Sequence, residues 1–236
     1  MTKTALVTGA SSGIGEAIAG LLLEEGWEVF GIGRDFSGCD LKNHPKFICG
    51  QFDLLEEEAL SSFLKQLPLS SLNLLVNNAA SAWYGPHETI SGSQIETMVR
   101  TNLELPMKLC ARLLRPLREN HGTIINIASV TALETSTHGA VYGALKAGLL
   151  HFSRTLFEEN RKAGLKVSVI LPDMTDTDLY RNADFTADLA EGCSLSPQEV
   201  AETVRFILSQ PEGTLVSELV IRPQYHRIKR KQFRNA

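Results

Sequence analysis

No apolar run in this chain reaches the ~20 residues a membrane-spanning helix needs, so no membrane partner is expected. Cysteine is scarce: the four, at positions 39, 49, 110 and 193, form no Cys-x-x-Cys pair and no His/Cys cluster, which argues against a metal site. Cys49 and Cys110 lie in apolar runs and are expected to be buried small hydrophobes, in a chain suited to a reducing cytoplasm. Positive charge is not in excess: the net charge is −4, so the total gives no argument for nucleic acid or an anionic membrane as a partner, and neither is expected. Met1, Thr2 and Lys3 lead straight into a strand candidate, so no removable leader core is expected. Internal repeats, low-complexity segments and domain linkers are also missing.

What remains is ordinary soluble-protein chemistry, with 236 residues, 43% hydrophobic and 21% charged. Short apolar runs alternate with helical stretches. Strands are predicted at Ala5–Val7, Val29–Gly33, Phe47–Phe52, Leu72–Asn77, Thr123–Ala128, Val167–Leu171 and Leu219–Arg222. Most are continuously apolar, as strands covered on both faces must be. Helices are predicted at Gly13–Glu25, Glu56–Leu67, Gln94–Asn120 with a bend at Pro106, and Val141–Arg161. Ser196-Pro197-Gln198-Glu199 combines a capping serine, a first-turn proline and a capping-box glutamate, so another helix starts there and runs to about Ser209. The alternation predicts an α/β fold: one doubly wound parallel sheet of about seven strands with helices on both faces. A single domain is expected over 1–223, followed by a basic tail, 224–236. The interval Asp173–Leu195 is either a surface loop or a short lid helix carrying Tyr180, Phe185 and Leu189.

The tail holds Arg227, Lys229, Arg230, Lys231 and Arg234 and no acid after Tyr225. Removing those five charges from the net −4 leaves residues 1–226 at −9. A solvated end is one reading of the tail. Contact with an acidic surface, such as a neighbouring subunit, is the other.

Two motifs carry chemistry. Thr8-Gly9-Ala10-Ser11-Ser12-Gly13-Ile14-Gly15 joins the first strand to the first helix. Its glycines let backbone approach a pyrophosphate, and the helix start offers free N–H groups and a positive dipole end. Further along, Tyr142-Gly143-Ala144-Leu145-Lys146 places a phenol and an ammonium one helical turn apart, with Ser129 upstream. A cation so close is expected to lower the phenol pKa from its free value near ~10.

In this order and spacing the two motifs resemble the short-chain dehydrogenase/reductase superfamily, from Thr4 to about Pro223. The resemblance implies a Rossmann-type sheet, a small-molecule carbonyl or alcohol as substrate, and a homodimer or homotetramer built through the long helices. It also implies a dinucleotide site on Thr8, Gly9, Ser11, Ser12, Gly13, Ile14 and Gly15. Gly33 stands where NAD-preferring relatives carry an aspartate, and Arg34 follows it. An arginine suits a 2′-phosphate, so NADP(H) is favoured over NAD(H). The resemblance extends the cofactor site to Asp53 with Leu54, to Asn78 and Ala79, to Tyr142 and Lys146, and to Pro172, Thr175 and Thr177. Asp53 also suits a helix cap. Three positions depart from the family pattern: Ala80 and Asp173 replace glycine, and Thr175 replaces an aliphatic residue.

By the same resemblance, Tyr142, Lys146, Ser129 and Asn102 are the catalytic residues. Tyr142 would exchange the proton, Lys146 would tune it and hold the nicotinamide ribose, Ser129 would bond the substrate oxygen, and Asn102 would help hold a water. The implied function is NADP(H)-dependent interconversion of a carbonyl and a secondary alcohol. An NAD-dependent enzyme of the same build and a catalytically idle dinucleotide sensor are the alternatives. Substrate choice is expected to lie in Ala80–His87, Val130–His138 and Asp173–Leu195. Trp83, Tyr84, Val130 and Glu134 are candidate wall residues there. His87 and His138 are read as loop histidines, with His138 the one that could face substrate.

Overall fold

The computed structural model describes residues 2–231; Met1 and Arg234, named above, lie outside them. Seven strands form one parallel sheet: β1 (Thr4–Thr8), β2 (Glu28–Gly33), β3 (Phe47–Gln51), β4 (Leu72–Asn77), β5 (Thr123–Ile127), β6 (Lys166–Pro172) and β8 (Glu218–Ile221). Their spatial order is β3-β2-β1-β4-β5-β6-β8. The doubly wound parallel sheet expected from the apolar runs is therefore present, in the Rossmann-type form that the resemblance implied. Strand order reverses between β1 and β4, and that reversal opens a crevice beyond their carboxyl ends.

Successive strand residues face opposite sides, so a continuously apolar strand feeds two cores. Ala5 and Val7 pack with Ile18 and Leu22 of α1 (Gly13–Glu24) and with Val200, Val204 and Ile207 of α6 (Pro197–Leu208). Leu6 between them packs on the other face, with Leu60 and Phe63 of α2 (Glu57–Leu64) and Leu109, Leu113 and Leu117 of α4 (Leu105–Glu119). Leu156 of α5 (Ala140–Asn160) joins that second layer. Each fully buried leucine or isoleucine contributes about 1.5–3 kcal/mol, whereas exposed ion pairs contribute about 1 kcal/mol or less, so the two layers decide the fold.

The single long helix expected over Gln94–Asn120 is two helices. α3 (Gly92–Val99) and α4 are joined by a π-helical turn, Arg100–Glu104. Pro106 has no N–H, so the carbonyl of Asn102 four residues back receives no α-helical donor from it, and the widened turn falls at that break. Cys49 is exposed, not buried as expected, because β3 is the edge strand of the sheet; Cys110 is buried.

The interval 173–195 is neither a plain loop nor a lid helix. It makes a 3-10 turn at Asp178–Asn182 and then β7 (Phe185–Ala187). β7 pairs antiparallel with β9 (Ile228–Arg230), with Thr186 opposite Lys229. The basic segment is thus folded back on its own chain as far as Lys231. Lys229 Nζ meets Asp188 Oδ1 at 2.9 Å, and Lys231 Nζ donates to the Tyr180 carbonyl at 2.7 Å.

Both halves of the expected capping box at α6 are present: Glu199 N donates to Ser196 Oγ at 3.2 Å, and Ser196 N donates to Glu199 Oε2 at 2.7 Å. Ser196→Ala should cost about 1 kcal/mol of stability. Thermal unfolding should then show a Tm lowered by about 2–4 °C; an unchanged Tm would show that the cap is idle.

Candidate active site

The crevice at the strand reversal is a cleft of about 760 Å³. Its floor is the turn after β1. Gly9 and Gly13 have φ of +67° and +56°, a region glycine enters without strain. A Cβ on Gly15 would overlap the Gly9 carbonyl oxygen. Thr8 Oγ1 donates to the Val76 carbonyl at 3.3 Å and accepts from the backbone N–H of Asn78 at 3.0 Å and of Ala79 at 3.1 Å. Asn78 Nδ2 returns bonds to the Thr8 carbonyl at 3.0 Å and the Gly9 carbonyl at 3.2 Å. Thr8 and Gly15 therefore shape the turn from behind, while Gly9, Ser11, Ser12, Gly13 and Ile14 face the cleft with Asn78 and Ala79. Ser12 caps α1 without a side-chain cap bond, so its hydroxyl and the first-turn N–H groups are free for an anion.

At one end lie Arg34, Asp53 and Leu54. Asp35 gives both carboxylate oxygens to Ser37, at 2.8 and 3.0 Å, and among the described residues Arg34 has no carboxylate partner. A Cβ at Gly33 would meet Ser11 Oγ at 2.5 Å, so an acidic side chain does not fit there as Ser11 now stands. Asp53 Oδ1 accepts from Leu55 N at 2.9 Å, and the residue that caps α2 is Glu56.

At the other end the long-range fold gathers Ser129, Tyr142 and Lys146 on one wall. Ser129 follows β5, and its Oγ accepts from Thr131 N at 3.2 Å, which leaves its O–H free to donate. Tyr142 is 4% exposed and Lys146 2%. Lys146 Nζ donates to the Ile127 carbonyl at 2.9 Å and lies 5.4 Å from the centre of the Tyr142 ring. The expectation that Lys146 lowers the Tyr142 pKa is corrected: burial pushes the phenol well above its ordinary value, and burial lowers Lys146 to about 7. Desolvation opposes the charged form of both groups and outweighs their mutual attraction.

Pro172, Thr175 and Thr177 also face the cleft; Thr175 Oγ1 donates to the Asp173 carbonyl at 2.9 Å, and the Thr177 methyl would lie 3.1 Å from a Cβ on Gly13. Asn102 is fully buried behind the wall. Its Nδ2 donates to the carbonyls of Ser81 and Met98, at 2.8 and 2.9 Å, and its Oδ1 has no partner among the described residues. Trp83, Tyr84, Val130 and Glu134 line the cleft as expected. His87, His138 and Leu189 do not; His138 is exposed, with φ of +65° and its carbonyl bonded by Gly85 N.

Asp173, where the family pattern has glycine, is the residue sequence reasoning left unexplained. Its carboxylate is buried, accepts from Met174 N at 2.8 Å, and meets His226 Nδ1 at 2.9 Å and Arg222 Nη1 at 3.6 Å. Arg222 in turn pairs with Glu134 at 2.6 Å. Arg222 and His226 lie some fifty residues further along the chain, so no local signal pointed to them. Among the described residues no group of three His, Cys, Asp or Glu is placed to hold a metal, and no helix is long and apolar enough to cross a membrane.

Comparison with known proteins agrees with this architecture. The family model described as short chain dehydrogenase matches residues 3–187. Serine 3-dehydrogenase of Rhizobium radiobacter is 33% identical over 235 residues, covering 94% of both chains. The structure of an alcohol dehydrogenase from the archaeon Thermococcus sibiricus, complexed with 5-hydroxy-NADP, superposes with a TM-score of 0.86 at 25% identity, over 96% of this chain and 99% of that one. The closed form of a serine dehydrogenase complexed with NADP+ gives 0.81 at 27% identity, over 93% and 94%.

The lowered Lys146 pKa has a stability signature. Between pH 7 and the ordinary lysine value the unfolded chain holds a proton that the folded chain does not, so this residue's contribution improves as pH rises and is lost as pH falls through about 7. In denaturant titrations from about pH 6.5 to about pH 9.5, Lys146→Met should gain most on the parent at the acid end, with the gap narrowing towards the alkaline end. A gap that widened with pH would contradict the assignment.

Proposed function

Because the chain belongs to the short-chain dehydrogenase family, we propose that it is an NADP(H)-dependent oxidoreductase interconverting a carbonyl and a secondary alcohol. One observation carries the reading: a phenol, an ammonium-forming amine and a free hydroxyl share one wall of a cleft whose other end is a glycine turn at a helix start. That turn fits a dinucleotide. Gly9 and Gly13 bring backbone against the cleft, a side chain on Gly13 would crowd Thr177, and the start of α1 provides uncommitted donors suited to a pyrophosphate. Arg34, which has no carboxylate partner among the described residues, suits the 2′-phosphate that separates NADP from NAD. The neighbouring alcohol and serine dehydrogenase structures were themselves complexed with 5-hydroxy-NADP and NADP+.

When bound, the dinucleotide supplies or accepts the hydride. The remaining work falls to the chain. Tyr142, its pKa pushed up by burial, holds its proton at neutral pH and so carries the proton that carbonyl reduction consumes. The phenolate left behind is a negative charge near Lys146, which favours the ammonium form of an amine otherwise balanced near pH 7. Ser129 directs its free O–H at the substrate oxygen, where charge grows during reduction. Asn102 acts from behind: its carbonyl, denied a donor by Pro106, is available to a water on the proton path. Asp53, Leu54, Asn78, Ala79, Pro172, Thr175 and Thr177 complete the wall around the dinucleotide. The family reading also has the chain act as a homodimer or homotetramer.

Tyr142→Phe should cut kcat by about 100-fold or more, with NADPH affinity by fluorescence titration within about threefold of the parent. Retained turnover would refute the proton role. Arg34→Ala should shrink the NADPH-over-NADH ratio of kcat/KM by about tenfold or more, the loss expected for a charge-assisted phosphate contact. An unchanged ratio would place the coenzyme selector elsewhere.

A further inference from the structure

The substrate end of the cleft is built from rings. Tyr84 lies 5.9 Å from Tyr142 between ring centres, 6.0 Å from Tyr180 and 5.2 Å from Phe185. Tyr180 and Phe185 are 5.4 Å apart. Burial raises the Tyr84 phenol well above its ordinary value, so this wall is uncharged at neutral pH. It is also fixed in place. Phe185 belongs to β7, which β9 holds as a ladder, and the backbone of Tyr180 is tied to Lys231.

Two of the cations at this end, Arg222 and His226, are committed to carboxylates. Arg222 is held by Glu134 through two contacts, at 2.6 and 3.3 Å, and by Asp173 at 3.6 Å. His226 faces Asp173 at 2.9 Å. Arg181 donates to the Asp178 carbonyl at 3.2 Å. Three carboxylates, those of Glu134, Asp173 and Asp178, share the same end of the cleft. A carboxylate entering with a substrate would lose water, would find Arg222 and His226 already held by carboxylates, and would face like charge.

We propose, resting on the oxidoreductase reading above, that the site takes uncharged aromatic ketones and their secondary alcohols and selects against keto acids and hydroxy acids. Rings stack or meet edge to face against Tyr84, Tyr180 and Phe185, which places the carbonyl towards Tyr142 and Ser129. Selectivity comes from two sources: the rings attract, and the neutralised Arg222 withholds the partner a carboxylate needs.

The test uses a matched pair, methyl benzoylformate and benzoylformate, which share a ring and a ketone and differ in charge. Reduction is read as loss of NADPH absorbance with the full-length protein. The ester should exceed the acid in kcat/KM by about tenfold or more. Glu134→Gln, at an exposed position, frees part of the Arg222 charge and should shrink that ratio about threefold or more, while Tyr84→Phe, which keeps the ring, should leave it within about twofold. Equal or better use of the acid, or an unmoved ratio in Glu134→Gln, overturns the inference and leaves the oxidoreductase reading standing. No turnover of either compound, nor of any neutral ketone in a panel, overturns both.

Discussion

Everything functional in this molecule hangs from the seam between β1 and β4. A parallel sheet whose order reverses there sends two loops away from each other. Thr8 and Asn78 hold them together with four side-chain-to-backbone hydrogen bonds, each side chain bracing the opposite loop. Buried polar groups of this kind are costly when half satisfied and rigid when fully satisfied. The glycine turn, with Gly9 and Gly13 at positive φ, lies directly against this seam.

A second brace sets the opposite wall. Asn77 donates to Asn126 at 2.8 Å, Asn126 donates to Ser153 at 2.7 Å, and Ser153 donates to the Leu149 carbonyl at 2.6 Å. This chain of amides and hydroxyl runs from β4 through β5 into α5, less than two turns beyond Lys146. It fixes the rotation of α5 and with it the side chains of Tyr142 and Lys146. Packing alone would tolerate a small slip of an apolar helix face, but a buried hydrogen-bond chain does not.

Much of this was legible in the sequence, and what was not shares one cause. The seven main strands read as apolar runs, and the α6 start read from Ser196 and Glu199, because those signals are local. The four-residue spacing of Tyr142 and Lys146 gave their shared helix face, but not the direction of the phenol shift, since burial depends on what the rest of the chain packs around it. Asp173 looked like a flaw in a motif until Arg222 and His226 arrived from the far end of the chain. Cys49 looked buried because its neighbours are apolar, yet it lies on an edge strand. The break at Asn102 was expected as a bend at Pro106; the sequence marked the place, and only the backbone showed a π turn.

The pairing of β7 with β9 makes Ile228–Arg230 the support of the cleft wall that Phe185 and Tyr142 share. The stretch Ile228–Arg230 is therefore not a neutral place to graft a partner or remove residues. A chain cut before Ile228 would retain every strand of the main sheet and the glycine turn of the cleft, and it would lose the support behind Phe185. On the oxidoreductase reading proposed above, divergence among similar sequences at β9 would retune which molecules are accepted and leave the dinucleotide end of the cleft alone.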